Sequence, residues 1–214
     1  MTPISDPRSL PGSTPSSEQL IDYLNQLAHL TSSKQVPDPE IKSYSDALYM
    51  NYYPLGVSLM FVDNSDSKSI KGIDAQSENL VLDSIDIYNP EQEEARADAK
   101  PSNGSAVSGQ VYAPYPANLV LSLLFGTVNN KPRAPELTIT SSSTGKDLLI
   151  NLGEPDRKGG GAGPSSGSIS IWCEWSKDGI MIEFGGPDAK GPHAWERGKD
   201  AKWRVVTLFR PKAA

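Results

Sequence analysis

The sequence predicts an α+β fold in which an antiparallel sheet carries one or two short helices on one face. Two observations predict it. Apolar spacing of helical period is confined to two short stretches, 16–31 and 144–151, while the other apolar runs alternate with the two-residue rhythm of strands. The order of strand, strand, strand, helix, hairpin and strand also keeps helices apart from runs of strands, which is the α+β pattern. All four tryptophans, Trp172, Trp175, Trp195 and Trp203, lie in the last third of the chain and place a core there.

Residues 1–15, rich in proline and poor in groups to bury, predict a disordered tail. A helix follows over 16–31. Ser16-Ser-Glu-Gln19 has the form of a capping box, and Leu20, Tyr23, Leu24, Leu27 and Leu30 recur at i, i+3, i+4 spacing. His29 sits beside that stripe with no ligand-spaced partner and reads as a helix-surface or core-edge residue. The remaining elements form a single α+β domain over 41–211. Leu48–Tyr53 and 56–62 are strand pieces joined at Pro54, with Val57, Leu59 and Phe61 alternating on one face. Leu80, Leu82, Ile85 and Ile87 make another strand. Polar stretches near 63–79, 89–110 and 157–167, the last rich in glycine and serine, predict disordered insertions. The continuous apolar run 118–127 predicts a central strand, and 129–142 a loop. Ser143 or Thr144 caps a two-turn helix that ends at Gly153 and Pro155.

Ile169, Ile171, Cys173 and Trp175 alternate on one face of the next strand, and Lys177-Asp-Gly179 supplies a turn. A two-residue turn would set Glu174 opposite Glu183, a like-charge pair that destabilises the ladder. A four-residue turn pairs Glu183 with Trp172 instead and is preferred. Trp203, Val205, Thr207 and Phe209 form the last strand. Cys173 faces inward and reads as inert.

Composition narrows the function classes. The N-terminus has no charged start followed by an apolar run, and no stretch approaches the roughly 18 apolar residues of a membrane span, so a cytoplasmic protein is expected. One cysteine excludes an internal disulfide and a four-cysteine zinc site. No metal site and no cofactor are expected. Residues 1–130 carry 7 basic and 16 acidic side chains and residues 131–214 carry 13 and 10, yet no nucleic-acid motif accompanies the basic half.

Candidate chemistry is sparse. Gly163-Pro-Ser-Ser-Gly167 has the letters of a hydrolase elbow but precedes a strand, and His193 is the sole downstream histidine. Glu174 and Glu183 make an acid pair only in the tight-turn register. Arg157-Lys-Gly-Gly-Gly161 lacks the ending of a phosphate loop, but Arg157 and Lys158 suit an acidic peptide or an anionic membrane lipid. Trp175 and Trp203 fall on apolar phases and read as core, whereas Trp172 and Trp195 fall on or near polar phases and read either as interface residues or as aromatic caps on open sheet edges. The binding candidates are therefore Trp172, Trp195, Arg157 and Lys158, with no catalytic residue among them.

Asn51-Tyr-Tyr-Pro-Leu-Gly-Val-Ser-Leu-Met-Phe61, followed by Leu82-Asp-Ser-Ile-Asp-Ile-Tyr-Asn89, resembles a strand pair of the phagosome assembly factor family. Asp147-Leu-Leu-Ile-Asn-Leu-Gly-Glu-Pro155 is similar to that family's step from helix to L-G-x-P, and 179–184 with 205–209 to its closing strands. The string from Leu152 to Phe209 also looks like fungal proteins of about this size. The resemblance implies a cytosolic non-enzyme that works with a propeller-type partner at autophagic membranes. Residues and resemblance together point to a protein-interaction or adaptor module with a protein partner. The alternative is a small-molecule or lipid-binding domain, enzymatic in its extreme form, with a pocket between the sheet and the 144–151 helix.

Overall fold

Helix α1 (Glu18–Leu30) is followed by four consecutive strands, β1 (Glu40–Ser43), β2 (Leu48–Tyr52), β3 (Val57–Asp63) and β4 (Leu80–Tyr88). The computed structural model describes residues 5–32, 34–64, 72–90, 111–128, 130–161 and 169–212. The middle of the chain gives two small two-stranded ladders. In one, β5 (Leu119–Ser122) pairs with a strand that comes after the other, in which β6 (Thr127–Val128) pairs with β7 (Lys131–Pro132); that later strand is β8 (Glu136–Ile139). Helix α2 (Gly145–Leu152) then precedes β9 (Arg157–Gly161), β10 (Ile169–Trp175) and β11 (Ile180–Phe184), and the short α3 (Ala194–Arg197) precedes β12 (Trp203–Phe209).

Eight of the strands form one antiparallel sheet in the order β1-β2-β3-β4-β12-β11-β10-β9. Each half is a helix followed by four strands that pair with their sequence neighbours, and the halves meet at their last strands, where Val206 lies opposite Ile87 and Leu208 opposite Ile85. This topological repeat has no counterpart in the amino-acid string.

The sheet has two unlike faces because the side-chain period along a strand is two. Val57, Leu59 and Phe61 of β3, Ile85 and Ile87 of β4, Ile180 and Ile182 of β11, and Ile171, Cys173 and Trp175 of β10 are buried on one face. Leu20, Tyr23, Leu24 and Leu27 of α1, Leu148 and Leu152 of α2, Ala194 of α3, and Leu119, Leu121, Leu137 and Ile139 of the β5–β8 ladder join the same apolar cluster. At about 25 cal/mol per Å2, burying side chains of this size stabilises by roughly 1.5–3 kcal/mol each. A bulge at Asp83 lets β4 keep its apolar residues on the core side across the register shift between Met60 and Phe61.

The expected fold class is the observed one, and several of its details stand as read. Trp172 pairs with Glu183, as the four-residue turn requires. Thr144 and Asp147 form a reciprocal capping box on α2. Others need correction. Ser16-Ser-Glu-Gln19 forms no capping box, because Ser17 is the N-cap and its side chain makes no capping bond. The expected tail is docked from residue 5: Leu10 is buried, the Gly12 N–H donates to the Leu82 carbonyl at 2.7 Å, and the Leu82 N–H donates to Ser13 O at 2.8 Å. The run 118–127 is a four-residue strand outside the main sheet, and the rest of it turns back, leaving Leu124 and Phe125 exposed. The expected insertion at 157–167 begins as the edge strand β9. Pairing to β10 supplies the order that glycine-rich sequence lacks by itself. Gly160 takes φ +85°, and a Cβ there would lie 2.2 Å from the Ser170 carbonyl, so the glycines are what bring the two backbones together. Of the insertions expected near 63–79 and 89–110, Asp63 ends β3 and Ile73 and Asn89 are buried, while 65–71 and 91–110, like 162–168 with its hydrolase-like letters, lie outside the described residues.

Candidate functional site: a tyrosine-walled groove on the open face of the sheet

Among the described residues, no helix packs on the second face of the sheet. Across its centre, rung by rung, run Asn51, Ser58, Asp86, Thr207, Met181 and Glu174, each on a neighbouring strand. Tyr49 pairs with Met60 on one side of this row and Tyr88 with Val205 on the other. An antiparallel sheet with one solvated face normally presents polar side chains there. Here Met60, Met181, Val205, Phe209 and Trp172 are half-buried and stand among polar neighbours.

Over β2, β3 and β4 the face hollows into a groove of about 560 Å3. Its floor is polar and tightly bonded. The Ser58 hydroxyl donates to Asn51 Oδ1 at 2.8 Å, and the Tyr112 hydroxyl donates to the same oxygen at 2.6 Å. Tyr112 reaches over from the segment after residue 110 and stacks flat on Tyr88, with ring centroids 3.6 Å apart and planes 4° from parallel. Tyr53 tilts against its other side at 4.5 Å, and Tyr44 meets Tyr49 edge-on at 5.8 Å on the opposite wall.

Asp86 lies recessed in this floor. Thr207 Oγ1 donates to its Oδ1 at 2.6 Å, and no ion pair reaches it among the described residues. Burial pushes its carboxyl above the usual aspartate range, the Thr207 bond pulling the other way and the Glu183 charge adding to the rise. Burial is also the main cause that lifts the hydroxyls of Tyr49, Tyr88 and Tyr112, with the Asp86 charge contributing to each. At Tyr112 the Lys42 charge works against that of Asp86. Lys42 stands at the rim, engaged by Glu40 at 3.2 Å and donating to the Tyr53 hydroxyl at 3.4 Å.

A carboxyl raised by burial costs stability once it ionises. The folded state holds the proton more tightly than the unfolded state, so stability falls as pH rises through the window between the ordinary and the raised pKa and stays lower above it. Asp86→Asn is therefore expected to raise the Tm at pH 7 by about 2–4 °C, the shift that about 1 kcal/mol gives in a domain of this size. Thermal melts across pH check it: the advantage should vanish below the normal aspartate range. A variant less stable than the parent at pH 7 would contradict the assignment.

The residues named from sequence divide between the two faces. Arg157 and Trp172 share the open face, with the guanidinium 5.9 Å from the ring centroid and Nη1 donating to Glu174 Oε2 at 3.1 Å. Lys158 and Trp195 lie on the helix side, the ammonium 5.7 Å from the ring and 3.2 Å from Glu154. Trp195 is 45% exposed, whereas Trp175 and Trp203 are core, as read. Glu174 and Glu183 occupy the open face on adjacent strands and pair with Arg157 and with Arg204, the latter at 3.1 Å. His193 is on the helix side, 3.1 Å from Glu196. The three do not converge. Cys173 is buried, and burial pushes its thiol up to about 11. The space between the sheet and α2, where the alternative reading placed a pocket, is filled by Leu148 and Leu152.

Asn51, Ser58, Asp86 and Tyr112 were not singled out from sequence. A signal for one of them was present: Asp86 lies between Ile85 and Ile87, which alternation sends to the covered face, so its carboxylate is sent to the other. The chain matches no family model, no curated protein and no solved structure. No helix among the described residues is long and apolar enough to cross a membrane, and no group of three or more His, Cys, Asp or Glu among them is placed to hold a metal ion.

Proposed function

We propose that this protein is a cytoplasmic, non-catalytic adaptor that docks a partner protein on the open face of its sheet. The observation that carries the reading is the half-buried band of Met60, Met181, Val205, Phe209 and Trp172, which continues into the tyrosine-walled groove with no helix or strand of the described chain over it and with Tyr112 reaching in at one end. An uncovered apolar band rimmed by polar groups is the signature of an interaction surface. Aromatic residues, methionine and arginine, the types enriched where interfaces are buried, all occur on it. Adaptor work is also what the resemblance to the phagosome assembly factor family implies.

Charge introduced at the centre of the band tests the reading. Met181 sits mid-sheet between Thr207 and Glu174. Met181→Arg is expected to reduce partner retention in affinity purification by about tenfold or more, as burying an unpaired charge in an interface does. Leu149→Arg, on the exposed side of α2, should leave retention unchanged. Equal retention by both variants, with both folded, would sink the open face as the docking surface.

A further inference from the structure

We infer that the groove around Asp86 receives a primary ammonium group, the head of a lysine side chain carried on a segment of the partner protein. The inference rests on the adaptor reading and names what that partner presents.

Four features of the groove select this chemistry. The first is an uncompensated carboxylate: Asp86 accepts one hydrogen bond, from Thr207, and has no cation in ion-pair reach among the described residues. The nearby cation, Lys42, is already held at the rim by Glu40 and Tyr53. The second is the walls. The Tyr49 ring lines one side and Tyr88 the other, and aromatic rings attract cations and repel anions, while Tyr112, packed between Tyr88 and Tyr53, lends its hydroxyl to the floor. The third is the acceptor count. Asn51 Oδ1 is occupied twice, by Ser58 and Tyr112, and Asp86 Oδ1 by Thr207, so the floor offers the other carboxylate oxygen to an incoming donor. A guanidinium uses two carboxylate oxygens in a fork, whereas an ammonium is a compact charge that one oxygen and the surrounding rings suffice to hold. The fourth is size. The groove exceeds the volume of one side chain, and the excess seats the residues flanking the lysine. Charge complementarity agrees: apart from the engaged Lys42, the charged side chains that line the groove among the described residues are Asp46 and Asp86.

The test uses the full chain and a blocked pentapeptide, Gly-Ala-Lys-Ala-Gly, with the tyrosine ring resonances followed by NMR. The lysine peptide should give saturable shifts at the rings of Tyr49, Tyr88 and Tyr112. The same peptide with Nε-acetyl-lysine should bind about tenfold more weakly or worse, and Asp86→Asn should weaken the lysine peptide by a similar factor, as loss of a close charge pair does. Tyr49→Leu, which removes a wall and leaves the carboxylate, should also weaken it. The proposal is overturned by equal binding of the acetylated peptide, by unchanged binding to Asp86→Asn, by tighter binding of the arginine analogue, or by no saturable shift up to about 10 mM. Peptide failure with partner retention still sensitive to Met181→Arg would reject the ammonium and leave the adaptor standing; insensitivity of both would reject the adaptor itself.

Discussion

Arg133→Ala is expected to destabilise the fold by about 3–5 kcal/mol, which lowers the Tm of a domain of this size by roughly 6–20 °C. The guanidinium donates through Nη1 and Nη2 to the two carboxylate oxygens of Asp178 at 2.9 and 2.7 Å, and through Nε to the Asn151 carbonyl at 3.2 Å. Both side chains of the ion pair are buried, 11% and 6% exposed. Arg133 therefore ties the end of α2 to the β10–β11 turn, and Arg8 secures the same turn through the Asp178 carbonyl at 2.6 Å. Removing the guanidinium leaves a buried carboxylate with no counter-ion and the Asn151 carbonyl at the helix end without its donor. Arg133→Lys keeps the charge and loses the fork, so it should fall between the two. Denaturant titration of the three proteins checks the order. A Tm unchanged in Arg133→Ala would mean that the pair does not form in solution.

Trp175→Ala is expected to cost a similar 3–5 kcal/mol. The indole is 2% exposed, and its Nε1–H donates to the Gly153 carbonyl at 3.0 Å, holding the chain just after α2 against the sheet. Two losses combine in the alanine variant, a large core volume and a satisfied carbonyl at a helix C-terminus. Trp175→Phe separates them. It keeps most of the apolar area and should lose about 1 kcal/mol for the hydrogen bond, plus whatever cavity the smaller ring leaves. If the phenylalanine variant were as unstable as the alanine variant, the hydrogen bond and ring shape would dominate over burial.

The part Trp175 plays was legible in the sequence, and the part Arg133 plays was not. Trp175 stands in strict alternation with Ile171 and Cys173, and that period places it on the core face whatever the rest of the chain does. The hairpin register was legible too, because two glutamates facing each other would repel, and the observed pairing of Trp172 with Glu183 avoids that. Arg133 pairs with a residue 45 positions away from a stretch with no periodicity, and a contact of that kind leaves no local mark. Strand β9 was hidden for the opposite reason. Its glycines argue locally for a loop, and it is a strand because β10 offers an open edge to pair with.

The groove is harder still to see in a string of residues. Apolar alternation reveals the covered face, and the residues left over read by default as solvated. Asn51, Ser58 and Asp86 come from three strands, and Tyr112 comes from the segment that follows residue 110; register alone makes them neighbours. That the leftover face is itself half-buried and aromatic follows from pairing eight strands in one sheet, which sets Tyr49, Met60, Tyr88, Val205, Met181 and Trp172 side by side. Burial holds the Asp86 carboxyl above the usual aspartate range, so its ionisation works against folding as the pH rises.

Hydroxyl-radical footprinting of the full chain, free and bound to its captured partner, tests the docking surface most directly. The account predicts that Met60, Met181, Tyr49 and Trp172 lose reactivity on binding, while Trp195 and Leu149 on the helix side keep theirs. Protection confined to Trp195, Leu149 and the exposed face of α1, with the open face still reactive, would contradict it.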